Sequence, residues 1–275
     1  MLGDRSPMIA GRLQWRRDRR TDVALRVVDE LVNRGDLVLD IGALHGSFSI
    51  RMLDLVGRTG VVHTFEPNAV HHHRLRALPG QGRRIVVHRF ALSDRQGQAE
   101  LHVPTGGGPV LAGLASLESR GDLATRTVHV DVRRLDDVIA STQRVSFIKC
   151  DVEGHEDSVI EGGRALLERD LPGILVEIEQ RHRSSDVAYA FGVLGGLGYQ
   201  GWALFPAGLR PLERFDLERD QLSWLSSSWT DGIAPIGYVH NFLFMASGRD
   251  LTALVDPAVA PPGAPGAQSE ARTSA

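Results

Sequence analysis

The chain has 275 residues, 42% of them hydrophobic and 24% charged, enough to bury the core of one large domain or two small ones. A net charge of -3 provides no basic field for nucleic acid, and a single cysteine, Cys150, excludes an internal disulfide and a cysteine-based zinc site. No apolar run approaches the roughly eighteen residues of a membrane-spanning helix, and with so little cysteine the expected setting is cytoplasmic.

Residues 1–20 read as a basic arm, since "RLQWRRDRR" carries five arginines between Arg12 and Arg20. A twin-arginine export signal needs an apolar segment next. An amphipathic helix pattern over 21–34 follows instead, with Val23, Val27, Val28, Leu31 and Val32 in phase, Thr21 or Asp22 as cap and Gly35 as stop. That helix opens a domain expected over 21–247. "LVLDI" (37–41) is a short buried strand, Gly42 and Gly46 bracket a tight turn, and the spacing of Phe48, Ile50, Met52, Leu53 and Val56 makes 47–56 a helix. A second strand over 60–67 ends in Glu66-Pro67, a helix spans 68–78, and a third strand over 84–94 runs out into Ser93-Asp94.

"QAELHVP" alternates with a period of two and reads as one arm of an antiparallel excursion that returns as "TVHVDV" (127–132). Between them, 104–125 is rich in glycine and small residues and is expected to be a loop or lid. "RLDDVIAS" is a short helix, 145–154 a strand, 155–169 a helix, 173–180 a strand and 186–197 a helix. "YQGWALF" and 239–246 read as a closing strand pair around an irregular 206–237. The Pro/Ala/Gly-rich tail, 248–275, lacks apolar periodicity and is expected to be disordered.

Alternating strands and helices over 36–205 call for a mostly parallel sheet covered on both faces, whose ligands bind outside the carboxyl ends of the strands. The polar residues where strands stop are therefore the candidates: Asp40, Glu66, Ser93-Asp94, Asp151 with Glu153, and Glu177 with Glu179. "DIGALHG" lacks the G-x-G-x-x-G spacing that takes a pyrophosphate, and Asp40 would repel phosphate. Glu66, 26 residues on, is placed to chelate both hydroxyls of a ribose. The pocket asks for a nucleoside with positive charge and no phosphate, and S-adenosylmethionine meets that description.

In this order and spacing "LDIGALHGSFSI", "FEP", "ALSD", "IKCDVEGHE" and "ILVEIE" resemble the FkbM-type methyltransferases over residues 36–205, with a looser echo at 239–246. The resemblance implies an α/β, Rossmann-like class I methyltransferase fold, a mostly parallel seven-stranded sheet with helices on both faces. It implies S-adenosylmethionine as cofactor and a hydroxyl of a sugar, glycolipid or secondary metabolite as acceptor. It further implies that Asp40, Gly42 and Gly46 line the methionine moiety, Glu66 holds the ribose, Ser93 and Asp94 lie against the adenine, and Asp151 sits beneath the methyl group. Two positions depart from the family pattern. "GALHG" has Leu44 where the family has Asn, with His45 of the same cofactor loop left to compensate or to face the substrate. "RLRALPG" lacks the family's Asn near the end of the helix after Glu66.

Methyl transfer to a hydroxyl needs the acceptor oxygen held in line and its proton removed. Asp151, Glu153 and His155 are the leading candidate bases, with Glu177 and His182 behind them. Crowded carboxylates raise one another's pKa, which suits a base; they equally suit a divalent cation such as Mg²⁺, the less favoured alternative. "HHH" (71–73) cannot converge on one ion from consecutive helical positions and reads as exposed surface. Cys150, inside a buried strand, reads as inert, and the use of arginine almost to the exclusion of lysine, Lys149 being the only one, reads as GC-rich coding. Trp224 and Trp229 read as core anchors in preference to an aromatic wall for a sugar.

The loops 104–125 and 206–237 are expected to form the acceptor pocket for a small hydroxylated molecule. Neither nucleic acid nor a membrane span is expected, and monomer and homo-oligomer both stay open. A nucleotide-dependent oxidoreductase is disfavoured by the missing third glycine and the absence of a Tyr-x-x-x-Lys pair. The altered "GALHG" loop keeps a non-catalytic, cofactor-binding scaffold as the alternative.

Overall fold

Asp22 caps the first helix among the described residues, α1 (Val23–Leu31), its carboxylate accepting from the Ala24 amide at 2.8 Å. The computed structural model describes residues 22–78, 80, 82–105, 115–118, 124–225, 235–248 and 250–256. The basic arm, most of the 104–125 loop, Trp229 and residues 249 and 257–275 of the expected tail lie outside the described residues. The start of that tail is ordered, contrary to expectation, because Leu251 and Leu254 are buried in the core and Val255 bridges to Leu209. After α1 come β1 (Leu37–Ile41), α2 (Ser47–Val56), β2 (Val61–Phe65), α3 (Ala69–Leu75), β3 (Ile85–His88) and β4 (Ala91–Leu92). The chain continues through β5 (Gly97–Pro104), β6 (Thr125–Arg133), α4 (Leu135–Val138), β7 (Val145–Cys150), α5 (Glu156–Gly162) and α6 (Arg164–Asp170). It closes with β8 (Gly173–Glu177), α7 (Ala188–Gly196), β9 (Tyr199–Phe205), β10 (Gly208–Pro211), α8 (Leu217–Asp220) and β11 (Asn241–Ala246).

The main sheet has the order β10-β9-β11-β8-β7-β1-β2-β3. Strands β1, β2, β3, β7 and β8 pair in parallel, while β11 lies antiparallel between β8 and β9, the closing pair expected from the sequence. Seven of these strands are the expected sheet. The eighth, β10, folds back on β9 through Pro206-Ala207, inside the stretch that reads as irregular. A second sheet, β4-β6-β5, contains the antiparallel excursion.

Strand residues alternate between two cores, as a sheet covered on both faces requires. Val38, Val62, Phe147, Leu175 and Leu243 join α1 and α2 through Val27, Val28, Met52, Leu53 and Val56. Leu39, Ile41, Ile148, Ile174, Val176, Phe242 and Phe244 join α5, α6 and α7 through Val159, Ile160, Leu166, Leu167, Ala190 and Leu194. Two expected elements divide. The 84–94 strand splits into β3 and β4 because Phe90 turns inward, its ring 5.9 Å from that of Phe65, and the chain changes sheets there. The 155–169 helix is two helices that meet at Gly163.

The irregular stretch before β11 is held by Gln221, which is fully buried. Its amide nitrogen donates to the carbonyls of Ile178 (2.7 Å) and Val239 (2.9 Å), and its oxygen accepts from the Gln180 amide at 2.9 Å. Among the described residues, no helix is long and apolar enough to cross a membrane.

Candidate functional site

A cleft of about 580 Å³ opens where β1, β2 and β7 end, walled on one side by the small sheet. Phe65, Phe90, Leu92, Leu101 and Leu117 make an apolar slot in it, with Glu66 on the β2 side and Asp151, Glu153 and His155 on the β7 side. An apolar slot with a few convergent polar groups is the usual form of a small-molecule site.

The turn after β1 is forced by close approach. The Asp151 amide donates to the Ile41 carbonyl at 3.0 Å, and a Cβ on Gly42 would fall 1.7 Å from the Asp151 carbonyl oxygen, so only glycine fits. Leu44 takes the left-handed region at φ 49, where Asn is better tolerated than Leu. The family's Asn thus has a backbone reason, and the Leu44 amide still donates to Glu66 Oε2 at 2.8 Å. The Asn68 amide donates to Glu66 Oε1, also at 2.8 Å, so one carboxylate braces the loops after β1 and β2. Burial pushes the Glu66 carboxyl up to about 7, although both amides pull the other way. Each of its oxygens keeps a lone pair for a hydroxyl donor. Gly46 closes the turn on the Ala43 carbonyl at 2.7 Å. His45 is exposed, near Arg74 (3.4 Å) and edge-on to His71 (4.8 Å between centroids), outside the cleft lining.

A row of polar side chains underlies the strand ends. Thr64, Asp40 and Lys149 are register partners across β2, β1 and β7. Asp40 is 1% exposed and accepts from the Ser49 hydroxyl of α2, and burial raises its pKa to about 6; it does not line the cleft. Lys149 Nζ meets Asp151 Oδ2 at 2.8 Å. Burial works against that ammonium, but Asp151, Glu177 and Asp40 outweigh it, and it holds its proton more tightly than an ordinary lysine. Burial first, then Asp151 and Glu179, drive the Glu177 carboxyl well up. Cys150 faces the other core, buried, with its thiol pushed up by that burial, in keeping with an inert role.

The "DVEGHE" segment turns sharply after β7. Glu153 adopts φ 58 and Gly154 φ 105, and a Cβ on Gly154 would lie 2.1 Å from the His182 carbonyl oxygen. Glu156, which sequence reasoning missed, is fully buried and accepts from the Val152 (3.2 Å) and Gly154 (3.0 Å) amides, pinning the turn. Asp151 and Glu153 diverge: the first pairs with Lys149, the second with His182 Nδ1 at 2.9 Å. His155 has both ring nitrogens engaged, Nδ1 with Glu118 (2.8 Å) and Nε2 with Ser93 Oγ (3.0 Å). Ser93 is buried and also donates to Asp94, whose carboxylate points to Arg95 and is half exposed. Glu179 is held by Arg181 and by the Tyr238 hydroxyl at 2.6 Å.

Of the expected site residues, the structure gathers Gly42, Glu66, Asp151, Glu153 and His155 around the cleft. Asp40 and Ser93 are buried close behind, and Gly46, His45 and Asp94 do not line it. His71 is 3% exposed and lines the cleft, so "HHH" is not all surface, as the sequence suggested. No group of three or more His, Cys, Asp or Glu among the described residues is disposed to hold a metal ion, which leaves the Mg²⁺ alternative without support. Trp224 is half-buried, its indole N–H donating to the Arg219 carbonyl at 3.1 Å. Lys149 is the other omission. Its signal was its place two residues before Asp151, on the same face of a strand.

The chain is 30% identical over 155 residues to the 2-O-methyltransferase NoeI of Sinorhizobium fredii, a match covering 52% of this chain and 63% of that protein. Less than two thirds of that relative's length is therefore spanned. Among solved structures it is similar to methyltransferase FkbM from Methylobacillus flagellatus KT, at 20% identity and a TM-score of 0.45, covering 77% of this chain and 43% of that one. It is also similar to a SAM-dependent O-methyltransferase from Thermotoga maritima, at 13% identity and a TM-score of 0.41, covering 82% and 66% of the two chains. The model of the methyltransferase FkbM domain matches residues 40–200, more than half of the sequence, and the chain belongs to that family.

Proposed function

We propose that the protein is an S-adenosylmethionine-dependent O-methyltransferase acting on a hydroxyl of a sugar, glycolipid or secondary-metabolite small molecule. The observation that carries the reading is one apolar cleft with Glu66 and Asp151 on either side of the β1 end. When bound, the cofactor supplies a methyl group on a sulfonium, which the sulfur releases to an attacking oxygen. Glu66 is the group to hold the ribose, its two oxygens already fixed by the Leu44 and Asn68 amides. Phe90, Leu92 and Leu117 suit a flat base, and Gly42 allows backbone approach. Family membership and the relative named a 2-O-methyltransferase support a hydroxyl acceptor.

Asp151 is the best fitted of the candidate bases. Its carboxylate is 28% exposed at the cleft, with one oxygen held by Lys149. Glu153 is tied to His182, and His155 spends both nitrogens on Glu118 and Ser93. These engagements make them supports for the site more than proton acceptors.

Calorimetric titration with S-adenosylmethionine, S-adenosylhomocysteine and NADH tests the cofactor. Micromolar binding of the first two alone is expected, followed by methyl transfer to some member of a panel of methyl glycosides and phenols. Binding without turnover on any acceptor would favour the scaffold reading, and binding of NADH alone would overturn both.

A further inference from the structure

Lys149 is the single lysine among 31 Lys and Arg residues, and it is 3% exposed at the end of β7. Its ammonium lies 2.8 Å from Asp151 Oδ2 and 5.1 Å from the centroid of the Phe48 ring, in register with Asp40. The neighbouring acids have other partners: Arg181 sits on Glu179 and His182 on Glu153. Asp40, Asp151 and Glu177 all act electrostatically on Lys149. A guanidinium presents a planar fork, whereas an ammonium is a compact point charge that fits between one carboxylate oxygen and a ring face.

A cleft lined by the carboxylates of Glu66, Asp151 and Glu153 grips a cation most strongly while its charge is whole. Transfer of a methyl group from a sulfonium to a neutral oxygen disperses that charge, so such a grip favours the ground state over the transition state. A fixed positive charge among the carboxylates opposes this. We propose that Lys149 is a positioning residue that holds Asp151 in place and balances the charge at the reacting end of the cleft, loosening the carboxylates' hold on a cationic ligand. The proposal rests on the reading of the cleft as an S-adenosylmethionine site.

S-adenosylmethionine and S-adenosylhomocysteine differ by the methyl group and its positive charge, so the ratio of their Kd values reads the charge balance directly. Calorimetry on the wild type, Lys149→Met, Lys149→Arg and Asp151→Asn is the test. Lys149→Met is expected to raise Kd(SAH)/Kd(SAM) at least fivefold, and Asp151→Asn to lower it at least threefold. Lys149→Arg, which keeps the charge, should stay within twofold of the wild type. Parallel changes in both Kd values would make Lys149 merely structural and overturn the proposal, as would an unmoved ratio. Should Lys149→Met fail to fold, Lys149→Gln, which also removes the charge, takes its place and is read by the same fivefold rise in the ratio. A wild type that binds neither compound refutes the cofactor site itself, and this proposal with it.

Discussion

Leu44 bears a backbone strain that its family's Asn would not. Holding a branched apolar residue in the left-handed region costs about 1–2 kcal/mol, and its amide is the part the site uses, donating to Glu66. Leu44→Asn should therefore raise stability by about 1 kcal/mol, with S-adenosylhomocysteine affinity no weaker; thermal unfolding and calorimetry check the two halves. Glu66 carries a pH dependence of definite sign. Its folded pKa, about 7, is raised above its ordinary value near 4.5 by burial, so the folded state keeps a proton the unfolded chain has lost over that interval. Its contribution is fully present below about 4.5 and is lost as pH rises through 7. Buried Asp40 and Glu156 act in the same direction. The Tm of the free protein should fall between pH 5 and 8 less steeply in Glu66→Gln than in the wild type. Affinity for S-adenosylhomocysteine should run the opposite way, strengthening through pH 7 as the carboxylate ionises to accept hydroxyls. Glu66→Gln should bind at least tenfold more weakly at pH 8 and lose that pH dependence; an unchanged affinity would reject the ribose assignment.

Two connecting segments decide whether the strand ends stay aligned. The turn after β7 has room for neither a Cβ nor a different backbone at Gly154, which lies against the His182 carbonyl. Gly154→Ala must move that carbonyl or the turn, and with it Glu153 and Asp151; a loss of several kcal/mol in denaturant unfolding is expected. Gln221 ties β8's exit to β11's entry through three main-chain groups. Gln221→Ala leaves them without that partner and should cost about 2–3 kcal/mol, whereas a loss below half a kcal/mol would mean that water replaces the amide. The sequence makes such segments hard to read, because 206–237 has no period and its organisation depends on one side chain reaching back across some forty residues.

The sheet itself was largely legible, because apolar runs ending in acids mark parallel strands and their functional ends. Glu66 and Asp151, singled out that way, both line the cleft, and the strand pair β9 and β11 was read from its alternation. What escaped depends on lateral neighbours: Lys149 meets Asp40 only because β7 lies beside β1, an adjacency that no spacing along the chain reveals. The inward turn of Phe90, which moves the chain to another sheet, is likewise a tertiary event. At this scale the cofactor reading predicts linkage. S-adenosylhomocysteine at about 100 times its Kd should stabilise the fold by about 2.7 kcal/mol, raising Tm by roughly 5–10 °C for a chain of this size. A scan without that rise would contradict binding to the native state.

The cleft lies on the seam between the two sheets, with Glu66 and Asp151 following strands of the large one and Leu92 and Leu101 in the small one. A molecule seated there bonds the seam like mortar. The β5–β6 hairpin can open without unravelling the main sheet, since it pairs only within its own. Each such opening takes down a wall of the site, so hairpin opening and ligand departure become a single event. Amide hydrogens of Leu101 and Val103 should then exchange at the pace at which the ligand leaves.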